Sequence, residues 1–287
     1  MEDLWVRSVL SLVISSAIAA RAFLRKSVDL TGVAAGIPVM IIHTVAGYRF
    51  AALLLVFFIT SSKLTRVGEE KKREIDAEFK EGGQRNWRQV LANSGIASIL
   101  LVMLATLTRG QDGCLNTNES KSITSLMGGI IGHYACCNGD TWSSELGVLS
   151  SSQPRLITTF EIVRKGTNGG VTLYGLVAAT AAGTIVGLTF VLLGLITTEC
   201  SSDGAWMQLL VIPVAALAGL FGSLIDSFLG STLQFSGYCI VRKKVVAKPG
   251  PTVVRISGMN ILDNNSVNAV SVLLTTMLTS MACVYIF

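Results

Sequence analysis

Charge is scarce in this chain of 287 residues: 14% are Asp, Glu, Lys or Arg, against 51% hydrophobic, and the mean hydropathy is positive. That balance excludes an ordinary soluble domain, which could not hide so much apolar surface. Cys-x-x-Cys pairs are missing, the six cysteines are scattered and no His spacing fits a zinc site, so nothing in the sequence points to a cysteine-ligated metal centre. No nucleic-acid motif occurs. The net charge of +5 therefore points to membrane lipid headgroups as partners and not to nucleic acid. Met1, Glu2 and Asp3 run straight into apolar sequence, without the basic start of a signal peptide or the Arg- and Ser-rich character of a transit peptide. The expectation is a retained signal anchor in the plasma membrane or an endomembrane.

What the chain has instead is long apolar runs. A helix needs ~20 mostly apolar residues to cross the hydrocarbon core, and spans are expected near residues 4–20, 30–46, 50–62, 90–107, 123–146, 171–197, 207–234 and 267–287. That makes about eight. The count falls to six or seven if the second and third form a re-entrant hairpin and Arg7 weakens the first. The expected fold is an all-α polytopic transmembrane bundle, one integral membrane domain over residues 1–287. Lys and Arg gather in alternate loops and most heavily between 63 and 89; by the positive-inside rule this places the N-terminus outside and makes 63–89 a hydrophilic cytoplasmic loop, read as a solvated connector. Cys114 and Cys200 fall in the expected outer loops, where a disulfide could form. Gly175, Ala179, Gly183 and Gly187 in one span, and Ala215, Gly219, Ser223, Ser227 and Ser231 in another, make small-residue ladders that let helices approach closely.

Five segments carry polar, charged and glycine residues that packing does not require: RNWRQVLANSG (85–95), NGDTWSSELG (138–147), RKGTNGG (164–170), GSLIDSFLGSTLQ (222–234) and ILDNNSVN (261–268). With the topology above, all five lie at the cytoplasmic ends of their helices. Three open outward-running helices, where free backbone N–H groups and the positive dipole end attract phosphate. Asn93, Arg164, Lys165, Gly166, Thr167, Asn168, Gly169, Gly170, Asp263 and Asn264 are thus candidates for binding a nucleotide or other phosphate. RKGTNGG is not a Walker A loop, because the GxxxxGK[ST] spacing is absent.

The other two segments close inward-running helices, and their Asp140, Glu145 and Asp226 are hard oxygen ligands suited to Mg²⁺. Ser223, Asp226, Ser227, Gly230, Ser231 and Gln234 form one polar stripe on an otherwise apolar helix. An ionisable residue within a membrane helix marks a functional candidate. Asp140-Thr-Trp and Asp226-Ser-Phe begin similar short patterns and hint at an internal duplication, which would favour a cation-coupled transporter.

In combination VLANSG, NGDTWSSELG, RKGTNGG followed by VTLYG, and GSLIDSFLGSTLQ resemble the signatures of the transmembrane protein 19 family, from about residue 30 to the end of the chain. Plant members of that family include a glucose-responsive plasma-membrane regulator and a phytyl-phosphate kinase. The resemblance implies phosphoryl transfer from a nucleoside triphosphate to an isoprenoid (prenyl) monophosphate, with Asp140 and Asp226 catalytic, Asp140, Glu145 and Asp226 holding Mg²⁺, and Arg164, Lys165 and the 166–170 backbone holding phosphates. The alternatives are a non-enzymatic regulator of sugar responses and the transporter.

Overall fold

The computed structural model describes residues 4–79, 81–198, 200 and 202–287; Met1, Glu2 and Asp3, read above as the lead into a signal anchor, lie outside the described residues. Ten α-helices occur among them: α1 (Leu4–Leu24), α2 (Leu30–Ala46), α3 (Tyr48–Arg66), α4 (Glu69–Ile75), α5 (Trp87–Thr108), α6 (Lys121–Gly147), α7 (Leu173–Thr197), α8 (Ser202–Gln208), α9 (Val211–Leu233) and α10 (Asn264–Ile286). Eight coincide with the expected spans; α4 and α8 are one-to-two-turn extras. Five stretches, at Tyr48–Arg66, Trp87–Thr108, Leu173–Thr197, Gly204–Leu233 and Asn264–Ile286, are long and apolar enough to cross a membrane. The chain is a multi-pass integral membrane bundle.

The helix ends follow from local chemistry. Asn86 caps α5 by accepting from the Gln89 N–H while Gln89 returns a bond to the Asn86 N–H. Thr172 caps α7 and Asp263 caps α10 in the same sense. Gly47 alone separates α2 from α3. The two are not a shallow re-entrant loop: α2 starts beside Arg85, whose carbonyl accepts from the Asp29 N–H, and α3 starts at the far end, where buried Arg49 pairs with Asp112.

α6 is the centre of the bundle, in contact with α3, α5, α7, α9 and α10. Met127 to Gly139 is buried without interruption, including His133, Tyr134 and Asn138. A helix enclosed by other helices has no need of a lipid-facing surface, so polar residues are tolerated along this span. Close approach is bought by glycine. A Cβ on Gly139 would lie 2.5 Å from the Gly219 carbonyl of α9, and one on Gly219 would lie 3.0 Å from the Gly183 Cα of α7. The backbones of α6, α9 and α7 therefore touch at one level. At the end away from the polar motifs, Cys114 and Cys200 form a disulfide with Cα atoms 5.9 Å apart, and Gln208 exchanges hydrogen bonds with the backbone of Leu115.

The connections carry structure beyond what the sequence reading addressed. The loop between α9 and α10 folds into a three-stranded antiparallel sheet, order β4-β3-β5, from β3 (Ser236–Cys239), β4 (Lys244–Val246) and β5 (Val253–Ser257). Its β-branched residues Val245, Val246, Val253, Val254 and Ile256 favour strands. A further two-residue pair, β1 (Arg155–Leu156) with β2 (Gly170–Val171), closes the loop before α7. The 63–89 segment, expected as a solvated connector, is largely exposed but is tied to the rest of the fold at a few points. Lys72 of α4 is buried, the Ala77 N–H donates to the Val245 carbonyl and Lys244 donates to the Arg73 carbonyl, so the segment is joined to the sheet as a cover over one end of the bundle.

The helix contact gives a prediction. Gly219→Val forces a branched side chain between two backbones and should cost about 2–3 kcal/mol or prevent stable folding, whereas Gly95→Ala, where an added Cβ meets nothing within 4 Å, should be neutral or slightly stabilising. Thermal unfolding of both variants in the same detergent checks it; equal melting points would remove the glycine contact as a constraint.

Candidate functional site

All five polar segments open into one cavity of about 1000 Å³ at the covered end of the bundle. Asn93, Asp140, Glu145, Lys165, Gly166, Thr167, Asn168, Gly169, Gly170, Asp226, Asp263 and Asn264 line it. Arg164 does not: its guanidinium lies 4.0 Å from the centre of the Tyr238 ring, a cation–π contact against the sheet. Nine-tenths of the residues singled out from the sequence are thus gathered by the fold, although they come from five separate stretches of chain.

Asp140 and Asp226 are placed by the close contact of α6 and α9. Gly139, the residue before Asp140, packs on Gly219, and Gly222, one turn before Asp226, packs on Cys136. The two helices are thereby held with the Asp140 and Asp226 carboxylates lining the same cavity and close enough to feel each other's charge. Ser271 of α10 donates to Asp226 Oδ2 at 2.8 Å, which fixes its orientation. No Lys or Arg lies within ion-pair distance of either carboxylate among the described residues. Two adjacent carboxylates so arranged need a proton or a cation between them.

Glu145 does not join them. Its Oε2 is 2.6 Å from Lys72 Nζ, and its Oε1 accepts from Thr65 Oγ1 at 2.7 Å. Among the described residues no three His, Cys, Asp or Glu side chains stand where they could share a metal ion. The three-carboxylate cluster expected from the sequence is therefore reduced to a pair. The reason is geometric: Asp140 and Glu145 are five residues apart, about 140° around a helix, so they face different neighbours. Lys72 was not legible as a site residue, because within KKREIDAEFKEGGQR it is one basic residue among several.

The RKGTNGG loop is shaped by its glycines. Gly166 and Gly169 have φ of 84° and 76°, and a Cβ on Gly169 would lie 2.5 Å from the Ser227 carbonyl. The loop thus wedges against α9 where only glycine fits. Its Asn168 N–H donates to Ser236 Oγ, the Thr167 and Gly170 N–H groups to loop carbonyls, and Lys165 to the Ser150 carbonyl. The N–H groups of Gly166 and Gly169 have no partner among the described residues. Thr167 Oγ1 is buried without a partner. At the start of α10, hydrogen bonds from the Ser266 hydroxyl and N–H hold the Asp263 carboxyl below the usual carboxylate range, so its charge serves as a helix cap. Arg85, at the lip of the same cavity, donates to Ser62 Oγ at 2.9 Å and faces the Phe58 ring. Burial lowers its proton affinity, and the field of Glu145 opposes that shift.

Comparison with known proteins places the chain. A model of the family described as integral membrane protein DUF92 matches residues 13–276, and the chain belongs to that family. It is 68% identical over 281 residues to Protein PGR of Arabidopsis thaliana, covering 98% of each chain. It is 33% identical over 191 residues to an uncharacterized membrane protein of Methanocaldococcus jannaschii, 67% of this chain and 68% of that one. It is 26% identical over 189 residues to Protein VTE6, chloroplastic, of Arabidopsis thaliana, 65% of this chain and 51% of that protein. No solved structure matches.

The Lys72–Glu145 pair ties the covering segment to α6, and its worth can be measured. Lys72→Ala should destabilise the protein by on the order of 1–3 kcal/mol, because it strands a mostly buried carboxylate. Adding Glu145→Ala should recover part of that loss. A double-mutant cycle with no coupling between the two would show the pair to be incidental.

Proposed function

We propose that this member of the DUF92 integral membrane protein family is a Mg²⁺-dependent kinase that transfers the terminal phosphoryl group of a nucleoside triphosphate to a prenyl monophosphate, with its site facing the cytoplasm. The observation that carries the reading is the Asp140–Asp226 pair opening into the same cavity as a positive-φ glycine loop and three helix N-termini. Carboxylates from two helices with no basic side chain between them suit Mg²⁺, which takes one or two carboxylates and completes its shell with water and phosphate oxygens. When bound, Mg²⁺ supplies neutralisation of phosphate charge. Anions would be received across the cavity by the N–H groups of Gly166 and Gly169 and the hydroxyl of Thr167.

The reaction asks little else of the side chains. The phosphorus–oxygen bond between the bridging oxygen and the terminal phosphorus breaks, and a new one forms from an oxygen of the prenyl monophosphate, giving a nucleoside diphosphate and a prenyl diphosphate. With a second phosphate pKa of about 6, that oxygen is mostly unprotonated at neutral pH, so no general base is required. Asp140 and Asp226 then act by position and charge, not as proton acceptors. Ser271 holds Asp226 in place, and Glu145, neutralised by Lys72, keeps the cover seated. The distribution of Lys and Arg supports placing this end in the cytoplasm, where nucleotide is supplied; the disulfide at the other end agrees.

The same carboxylate pair could instead carry a cation across the membrane, and a single experiment separates the readings. Purified protein supplied with labelled nucleoside triphosphate, Mg²⁺ and a prenyl monophosphate should form labelled diphosphate, and Asp140→Asn or Asp226→Asn should lower the rate by about a hundredfold or more without loss of folded protein. No transfer across a panel of nucleotides and prenyl chain lengths, together with cation flux in proteoliposomes that depends on the two aspartates, would establish the transporter. Absence of both would leave a non-enzymatic regulator of sugar responses.

A further inference from the structure

Beside the polar cavity runs a second space, lined almost wholly by apolar groups from α1, α2, α3 and α5. Phe57, Arg85, Gln89 and Asn93 line both, so the apolar slot and the polar cavity lie side by side and share a wall. Along α2 the slot extends from Gly32 to Met40, about 12 Å at 1.5 Å per residue.

Helix packing does not account for it. Gly32 is small because it must be: an added Cβ would strike the Arg85 carbonyl. Gly36, one turn deeper on the same helix and also lining the slot, has nothing within 4 Å of an added Cβ. A glycine in a helix interior costs about 1 kcal/mol relative to alanine, and here no neighbouring helix uses the room it leaves. At the junction stands Arg85. Its guanidinium donates to the Ser62 hydroxyl and faces the Phe58 ring, and no carboxylate lies within ion-pair distance among the described residues. Glu145, whose field reaches it, is already engaged by Lys72. An arginine with no ion-pair partner among the described residues, standing between an apolar slot and a polar cavity, complements an anion attached to a hydrocarbon chain.

We propose that this slot holds the chain of a phosphate-bearing prenyl amphiphile and that Arg85 receives its phosphate as the head group enters the cavity. The inference rests on the phosphoryl-transfer reading for its choice of head group. Bound this way, the acceptor phosphate would approach the cavity from the α5 side. The nucleotide would come from the side of the glycine loop, with the aspartate pair reached from both.

The test is photolabelling of the full-length protein in phospholipid nanodiscs with a prenyl monophosphate carrying a diazirine on its chain. The corresponding prenyl alcohol, a diazirine phospholipid and competition by inorganic phosphate serve as separate arms, and nucleotide binding is read independently with a fluorescent analogue. Labelled peptides should come from α2 and α5. Gly36→Leu and Ala19→Leu, which fill the slot from two different helices, should each reduce labelling about tenfold or more while nucleotide binding persists. Arg85→Gln should weaken the monophosphate by about tenfold and leave the alcohol unchanged, and inorganic phosphate should compete with the former alone. The proposal is overturned if labelling falls outside the slot, if the folded slot-filling variants label like wild type, or if the phospholipid labels the slot as well as the monophosphate does. Slot labelling that obeys these expectations in a protein that neither binds nucleotide nor transfers phosphate would leave the slot standing and remove the kinase.

Discussion

The site depends on three helix backbones meeting at glycine. Gly139 of α6, Gly219 of α9 and Gly183 of α7 come close enough that no side chain fits between them, and this contact sets the level at which Asp140 and Asp226 face each other. In a bilayer such packing is driven by van der Waals contact and not by hydrophobic exclusion, because lipid tails are as apolar as leucine. Small displacements would therefore be felt directly: a helix pushed outward by one methyl group separates the two carboxylates. Around this fixed pair the remaining parts are attached more loosely, through the Lys72–Glu145 ion pair, the strand contacts of the 63–89 cover and the loop that wedges Gly169 against α9.

The division of the molecule into a rigid bundle and a polar cover has a consequence for chemistry. A carboxylate pair inside a membrane bundle is costly unless it is neutralised, and the cavity at the covered end gives the pair polar surroundings. The cover bounds that cavity and brings helix N-termini and loop N–H groups to the opposite wall. The opposite end is closed differently, by the Arg49–Asp112 pair and the Cys114–Cys200 disulfide.

Much of this was legible in the sequence. The eight helices follow from apolar runs, and the grouping of five polar segments follows from counting Lys and Arg in alternate loops, because both signals are local. The Asp140–Asp226 pairing was half legible: the stripe around Asp226 showed which face points inward, but only the fold shows which carboxylate meets it. Glu145 is read from the sequence as a third hard oxygen ligand at the same helix end as Asp140, and helix geometry turns it toward Lys72 instead. Arg164 belonged to the right motif yet stacks on Tyr238, a residue of a sheet that short strands in a charged loop did not announce. Arg85 and Lys72 were hidden among neighbouring basic residues, since charge counting assigns a side of the membrane and not a partner.

The central claim is that aspartates from two helices share one divalent cation at the cavity wall. Electron paramagnetic resonance of Mn²⁺, used in place of Mg²⁺, tests it most directly on purified protein with a non-hydrolysable nucleoside triphosphate. One tightly bound Mn²⁺ per chain, with coupling to phosphorus nuclei and loss of the signal in Asp140→Asn and in Asp226→Asn, is the predicted result. Mn²⁺ binding that is absent, or that survives replacement of both aspartates in folded protein, would contradict it.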